Sequence, residues 1–116
     1  MSNQRVVTGA HYGLRDWIGQ RVTAVIIALY TLLLLFVIVT TPKIDYGAWA
    51  GIFVSPFMKI ATLLAAIALM YHAWIGARDI YMDYIKNAGL RLALQVATIV
   101  LLVGYALWTV IILWRV

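Results

Sequence analysis

The chain has 116 residues, of which 66% are hydrophobic and 11% charged, and its formal net charge is +5. A soluble domain of this length cannot cover so much apolar surface, so the composition excludes a soluble globular protein and indicates a membrane protein. The absence of cysteine excludes disulfides, thiolate metal sites and cysteine nucleophiles. The basic residues are scattered, which argues against nucleic-acid binding. Because backbone groups in lipid must be satisfied within their own segment, we expect one all-α membrane domain over residues 1–116.

The first 20 residues are polar by the standard of this chain and contain Arg5, His11, Arg15 and Asp16. They lack the charged start, short apolar core and small-residue cleavage site that a signal peptide shows. We therefore expect a short cytoplasmic arm, with a turn of interfacial helix whose apolar side chains enter the lipid headgroups.

Three apolar runs predict three transmembrane helices, over about residues 22–40, 57–77 and 92–114. At about 1.5 Å per residue, a run of about 20 residues crosses a hydrocarbon core of roughly 30 Å. Residues 41–55 contain proline and glycine and have the composition of a loop. Residues 78–90 form a charged connection, and we expect its first half to continue the second helix beyond the membrane surface.

The basic residues are divided unevenly between the two sides of the predicted bundle. The N-terminal arm and the second connection share one side, and the first loop and the C-terminus share the other. The residues are Arg5, Arg15, Arg21, Arg78, Lys86 and Arg91 on the first side, and Lys43, Lys59 and Arg115 on the second. Because cytoplasmic segments carry the excess of Lys and Arg, we predict a cytoplasmic N-terminus and a C-terminus on the opposite side of the membrane.

His72 is the one histidine inside a predicted membrane segment. An ionisable side chain there is costly and indicates a functional site, although an interhelical hydrogen bond is an equally good reading of its position. Small residues recur with His72 at steps of three and four, which places them on one helix face. The other members of this face are Ala61, Ala65, Ala68, Gly76 and Asp79.

A smooth face with one imidazole suits either a closely packed helix or a flat ligand such as a haem with an axial histidine. The second histidine of the chain, His11, lies in the polar arm. A haem with two axial histidines would therefore need its second imidazole from a partner subunit. Thr23, in the first membrane segment, is most simply a hydrogen-bonding residue toward the backbone or another helix.

Two groups of residues at the charged side are further candidates. Arg21 can pair with haem propionates, or it can simply set topology and bind lipid headgroups. Tyr84 can donate a hydrogen bond to a quinone carbonyl and pass on a proton, with Asp83 beside it as a relay and Lys86 nearby. The alternative for Tyr84 is an ordinary interfacial tyrosine with solvated neighbours.

Four stretches resemble those of a known family: RVTAVIIALY at residues 21–30, HAWIG at 72–76, DYIK at 83–86 and LRLALQ at 90–95. With these motifs, the chain resembles the membrane-anchor subunits, of the D-subunit type, of bacterial succinate dehydrogenase, or respiratory complex II. The resemblance runs from about Gly13 to the C-terminus. HAWIG followed by DYIK at this separation is its most specific part.

The resemblance implies roles for five residues. It implies that His72 is an axial ligand of haem b, with the other imidazole from the second anchor, the C subunit. It implies that Arg21 lies near the haem propionates, and that Tyr84, with Asp83, binds the ubiquinone head group. Well-known members carry histidine where this chain has Arg15, which leaves Arg15 as a further candidate for a propionate or a lipid headgroup.

The resemblance also implies the function of the whole assembly. The anchor holds a flavoprotein and an iron–sulfur subunit at the bacterial inner membrane, which places the C-terminus of this chain in the periplasm. Electrons from succinate pass to ubiquinone in the tricarboxylic acid cycle and aerobic electron transport. The isolated chain is not expected to be active. The nearest alternative is an anchor of a quinol:fumarate reductase, and one of a different class is a haem-free structural membrane protein. A small drug transporter is disfavoured, because no carboxylate lies inside a predicted membrane segment.

Overall fold

The structure is a computed structural model that describes residues 6–116, with side chains from Gly13 onward. The described part contains four helices and no strand, which confirms the all-α prediction. The helices are α1 (Val6–Thr40), α2 (Tyr46–Ile52), α3 (Pro56–Tyr84) and α4 (Ala88–Arg115). Arg5 and the side chain of His11, both assigned above to the cytoplasmic arm, lie outside what the structure describes.

Three of these helices are long and apolar enough to cross a membrane: α1 from Gly13 onward, α3 and α4. Each predicted membrane segment lies inside one of them. The difference from expectation is at residues 13–20, which continue α1 without a break instead of forming an arm with a single helical turn. No proline interrupts this stretch, so the helix of 35 residues extends well beyond the roughly 30 Å that the hydrocarbon core requires.

The first connection contains a helix that loop composition did not reveal. The Asp45 side chain accepts a hydrogen bond from the backbone N–H of Ala48 at 2.8 Å and so caps the start of α2, which has only 7 residues. Ser55 caps α3, where Pro56 occupies the first turn. At the other connection, α3 continues to Tyr84 as predicted, and Asn87 caps α4.

The middle helix of the bundle is α3, which packs against both α1 and α4. Its buried residues are Met58, Ala65, Ala68 and Ile75. Most other large apolar side chains of the described part are exposed, so this chain alone encloses only a thin core. Their exposed surfaces are suited to lipid and to partner helices.

The small-residue face of α3 is packed against other parts of this chain along only part of its length. Ala65 and Ala68 are buried by the packing of the chain itself, and Ala61 shares a groove with Ile26 and Leu29 of α1. Gly76 lies further along the same face, and apart from its own stretch of helix no atom lies within 4 Å of the position that a Cβ would take. The face is therefore closed by helix packing at one end and open at the other.

Candidate functional site

His72 of α3 is joined to α1 by a hydrogen bond inside the apolar part of the bundle. Its Nδ1 lies 3.0 Å from the Thr23 Oγ1. The Thr23 hydroxyl also lies 2.7 Å from the backbone carbonyl oxygen of Gly19, one turn earlier. Thr23 is only 7% exposed. The prediction that Thr23 bonds to the backbone or to another helix is confirmed on both counts.

The second ring nitrogen of His72 has no hydrogen-bond partner among the residues that the structure describes. Nε2 makes no hydrogen bond within the described residues and is not among their enclosed, unpartnered polar atoms. The described part also contains no group of three or more His, Cys, Asp or Glu that could hold a metal ion by themselves. A single accessible imidazole nitrogen would suit a haem, because the porphyrin would supply most of the ligands of the iron and the protein would need to add only one or two.

An ion pair joins the first half of α1 to the last part of α3. Arg78 of α3 forms an ion pair with Asp16 of α1, and its guanidinium also lies 3.6 Å from the Asp79 carboxylate. The Arg78 and Asp16 side chains are 27% and 29% exposed, so the pair is partly shielded from solvent. Sequence reasoning did not find this pair, although opposite charges at the same predicted membrane edge were the available signal.

Two clefts flank this ion pair and share Asp16, Ile75 and Asp79 among their lining residues. The larger, of about 600 Å³, contains Arg15 together with Arg78, and we call it the Arg15 cleft. The smaller, of about 310 Å³, contains Arg21, and we call it the Arg21 cleft. The two arginines expected near haem propionates therefore line different clefts. Each arginine has to be considered separately as a partner for an anionic group.

The Arg21 cleft has two features that bear on anion binding. The Arg21 guanidinium carbon lies 4.7 Å from the centroid of the Trp17 ring, an arrangement that fixes the face of the guanidinium and leaves its edge for hydrogen bonds. The Oε1 of Gln20, which also lines this cleft, is enclosed and has no hydrogen-bond partner in the described part of the chain. Sequence reasoning missed Gln20, because nothing in its spacing distinguishes it.

Tyr84 and Asp83 have different surroundings. Tyr84 is the last residue of α3 and is 76% exposed, and Asp83 is also exposed. Neither side chain makes a hydrogen bond within the described residues. The carbonyl oxygen of Ile85, the next residue in the chain, accepts a hydrogen bond from the Arg91 side chain at 3.5 Å. At about 1.5 Å per helical residue, Tyr84 lies about 18 Å along α3 from His72. The chain thus presents these two candidate sites at separate levels.

Comparison with known proteins adds to this geometry. The family model described as succinate dehydrogenase/fumarate reductase transmembrane subunit matches residues 1–113. A relative from Coxiella burnetii, named succinate dehydrogenase hydrophobic membrane anchor subunit, is 39% identical over 102 residues, which cover 88% of this chain and 89% of the relative.

Relatives with the same name occur in several Rickettsia species, and two of them serve as examples. The Rickettsia felis protein is 30% identical, over 74% of this chain and 72% of the relative. The Rickettsia bellii protein is 33% identical, over 76% of this chain and 70% of the relative. Matches of this extent, on a chain with three helices that can span a membrane, leave one conclusion: the chain belongs to the family of succinate dehydrogenase and fumarate reductase transmembrane subunits.

Proposed function

We propose that this chain is the membrane-anchor subunit of a bacterial succinate:ubiquinone oxidoreductase. In this role it docks the iron–sulfur and flavoprotein subunits at the bilayer and forms part of the ubiquinone-reduction site, within the tricarboxylic acid cycle and aerobic electron transport. The observation that carries the proposal is the 39% identity to a succinate dehydrogenase anchor over 88% of the chain. The names of the relatives also favour succinate oxidation over the alternative of fumarate reduction.

The anchor is proposed to share a haem b with a second anchor, the C subunit. His72 provides one axial nitrogen, and the absence of any other histidine from the apolar runs makes a partner imidazole necessary. Support comes from the unpartnered Nε2 of His72 and its tethered Nδ1. Haem b, when bound, supplies a one-electron store. Arg21 is the preferred partner for a propionate because the edge of its guanidinium is open, and Arg15 is the second candidate.

The quinone half-site is proposed at the exposed end of α3. The Tyr84 hydroxyl donates a hydrogen bond to a carbonyl oxygen of ubiquinone, and the Asp83 carboxylate beside it relays protons. Reduction of a quinone to a quinol takes two electrons and two protons, so a donor at the membrane surface is needed for both binding and chemistry. The exposure of Tyr84 supports a pocket that is completed by partner subunits.

The isolated chain is proposed to be inactive. Iron–sulfur clusters are held by cysteine thiolates, and this sequence contains no cysteine. Dehydrogenation of succinate also requires the flavoprotein subunit. The chain therefore contributes binding surface, one haem ligand and part of the quinone pocket to an enzyme assembled from several polypeptides.

The orientation is proposed to place the charged ends of α1 and α3 in the cytoplasm of the bacterial cell. The cluster formed by Arg15, Arg21 and Arg78 supports this side, because positively charged segments are retained there. With this orientation, a reporter enzyme that folds only in the periplasm should be active when it is fused after Val116. Activity of a cytoplasm-specific reporter at the same junction would contradict the proposed orientation.

Co-purification tests the proposed function as a whole. The full chain, tagged after Val116, is extracted from membranes in mild detergent, with untagged membranes as the control. The expected eluate contains the flavoprotein, iron–sulfur and second anchor subunits, succinate–ubiquinone activity and a b-type absorption spectrum. Recovery of the tagged chain by itself, from membranes whose succinate dehydrogenase stays active and unbound, would contradict the proposal.

A further inference from the structure

The Thr23 hydroxyl has a single proton and three neighbouring groups that could accept it. Its oxygen is 2.7 Å from the Gly19 carbonyl oxygen, 3.2 Å from the Gln20 carbonyl oxygen and 3.0 Å from His72 Nδ1. A carbonyl oxygen only accepts hydrogen bonds, whereas a neutral imidazole nitrogen either donates or accepts, according to its tautomer. The position of one proton on Thr23 therefore determines the tautomer of His72.

The arrangement favours donation from Thr23 to Gly19. The distance from Thr23 Oγ1 to the Gly19 carbonyl oxygen is the shortest of the three. When the hydroxyl donates to Gly19, its oxygen can accept a hydrogen bond from Nδ1–H of His72. In the opposite arrangement, Nε2 would carry the proton and would have no acceptor in the described part of the chain. An unpaired N–H in an apolar environment is costly. We therefore assign the proton of His72 to Nδ1, which leaves the lone pair of Nε2 available.

The close packing of α1 against α3 at Gly19 brings Thr23 within reach of His72. A Cβ on Gly19 would lie 2.8 Å from Cε1 of Tyr71, so the absence of a side chain at residue 19 lets the Tyr71 ring approach α1. Gly19 and Thr23 are one turn apart on α1, and Tyr71 and His72 are adjacent on α3. The close approach of the two helices at this level brings the hydroxyl within hydrogen-bond distance of the imidazole.

We propose that Thr23 is a positioning residue for the haem iron: its hydroxyl holds the His72 imidazole as the Nδ1–H tautomer, in the orientation that offers Nε2 to the metal. This inference rests on the proposed role of His72 as a haem ligand. A hydrogen bond from Nδ1–H also increases the electron donation of Nε2, as it does for metal-binding histidines generally. Thr23 would therefore favour the ferric over the ferrous state of a haem bound at His72.

The test is Thr23→Val in the complete complex, which removes the hydroxyl and keeps the shape of the side chain. A redox titration of the haem absorption should give a more positive midpoint potential. Transfer of haem to an excess of an apoprotein acceptor should be about 10- to 100-fold faster, the usual effect of losing such a partner. Thr23→Ser, which retains the hydroxyl, should restore both values toward wild type.

Thr31→Val is the matched control, because the Thr31 hydroxyl bonds to its own helix at the Ile27 carbonyl oxygen and lies on the same helix. Potential and haem retention in Thr23→Val equal to those in Thr31→Val would overturn the inference. If Thr23→Val does not assemble, Thr23→Ala is compared with Thr23→Ser, and equal values in that pair overturn it as well. Persistence of the haem in His72→Ala would instead refute the proposed ligand role, which separates the two failures.

Discussion

His72 and Tyr84 lie on the same helix and differ in how much of their surroundings this chain provides. His72 is tied to α1 through Thr23, at 3.0 Å, with its other nitrogen left accessible. Tyr84 is 76% exposed and has no hydrogen-bond partner in the described part of the chain. The chain therefore holds the side chain of one candidate site by a hydrogen bond, whereas at the other candidate site it only exposes a side chain.

This difference indicates how the work is divided in the assembly. In the proposed roles, His72 is a haem ligand, and hydrogen-bonded support from the same chain orients such a ligand. A quinone has to enter and leave from the bilayer, and a residue at the exposed end of a helix can form one wall of a pocket shared between subunits. The quinone site is thus expected to depend on partners more strongly than the histidine site does.

The largest effect is expected from Tyr84→Phe. Loss of the hydroxyl removes a donor to the quinone carbonyl, and the succinate–ubiquinone rate of the purified complex should fall by at least about 10-fold. Succinate oxidation with an artificial acceptor should stay at the wild-type rate, because that acceptor bypasses the quinone pocket. Paired assays with the two acceptors on the same preparation measure this separation.

Tyr46→Phe provides the control for Tyr84→Phe. Tyr46 is 83% exposed and starts α2, at the opposite end of the bundle, so it matches Tyr84 in exposure but not in position. Its ubiquinone rate should equal that of wild type. A Tyr84→Phe complex with the same ubiquinone rate as Tyr46→Phe would remove Tyr84 from the quinone site.

A smaller effect is expected at the ion pair that joins α1 to α3. Because the Arg78 and Asp16 side chains keep more than a quarter of their exposure, their coupling should be about 1–2 kcal/mol, between the values for exposed and buried pairs. A double-mutant cycle of Arg78→Gln and Asp16→Asn, followed by thermal unfolding of the complex in detergent, measures it.

Asp79→Asn serves as the comparison in that experiment. Its carboxylate is 3.6 Å from Arg78 but is 59% exposed, so its coupling to Arg78 should be well below that of Asp16. Additive effects of Arg78→Gln and Asp16→Asn would show that the ion pair does not hold the two helices together.

The smallest effect is expected from Gly19→Ala. The new Cβ would meet the Tyr71 ring at 2.8 Å, and moving this half-exposed ring should cost about 1 kcal/mol. Gly13→Ala, on the same helix with nothing within 4 Å, should be neutral or slightly stabilising. Thermal unfolding compares the two variants. Equal stability of both would show that the glycine is not needed for the approach of α1 to α3, whereas Tyr71→Leu should relieve the cost of Gly19→Ala.

The membrane-spanning helices could be predicted from the sequence, whereas the contacts between them could not. Long apolar runs are a local property, so the spans around residues 22–40, 57–77 and 92–114 could be predicted. The sequence predicts an arm with one turn of interfacial helix at residues 13–20, whereas α1 runs through them without a break. Polar residues there indicate where the apolar run ends, and a helix can continue beyond that point. The seven-residue α2 was missed because its cap depends on one side chain, Asp45.

The candidate site shows the same limit. His72 and Tyr84 stood out by residue type and location, but their neighbours depend on how α1 lies against α3. The pairing of Asp16 with Arg78 joins residues 62 positions apart, and that of Thr23 with His72 joins residues 49 positions apart. No periodicity within one helix encodes such pairs, and only the packing of the two helices reveals them.

The most direct test of the central claim is the haem content of a complex that carries His72→Ala. The measurement is the reduced-minus-oxidised absorption spectrum of the purified complex, normalised to flavin so that assembly is counted separately. His11→Ala, which changes the other histidine of the chain, is the control and should keep the b-type signal. The account predicts that His72→Ala loses nearly all of that signal. A full b-type signal in an assembled His72→Ala complex would contradict it.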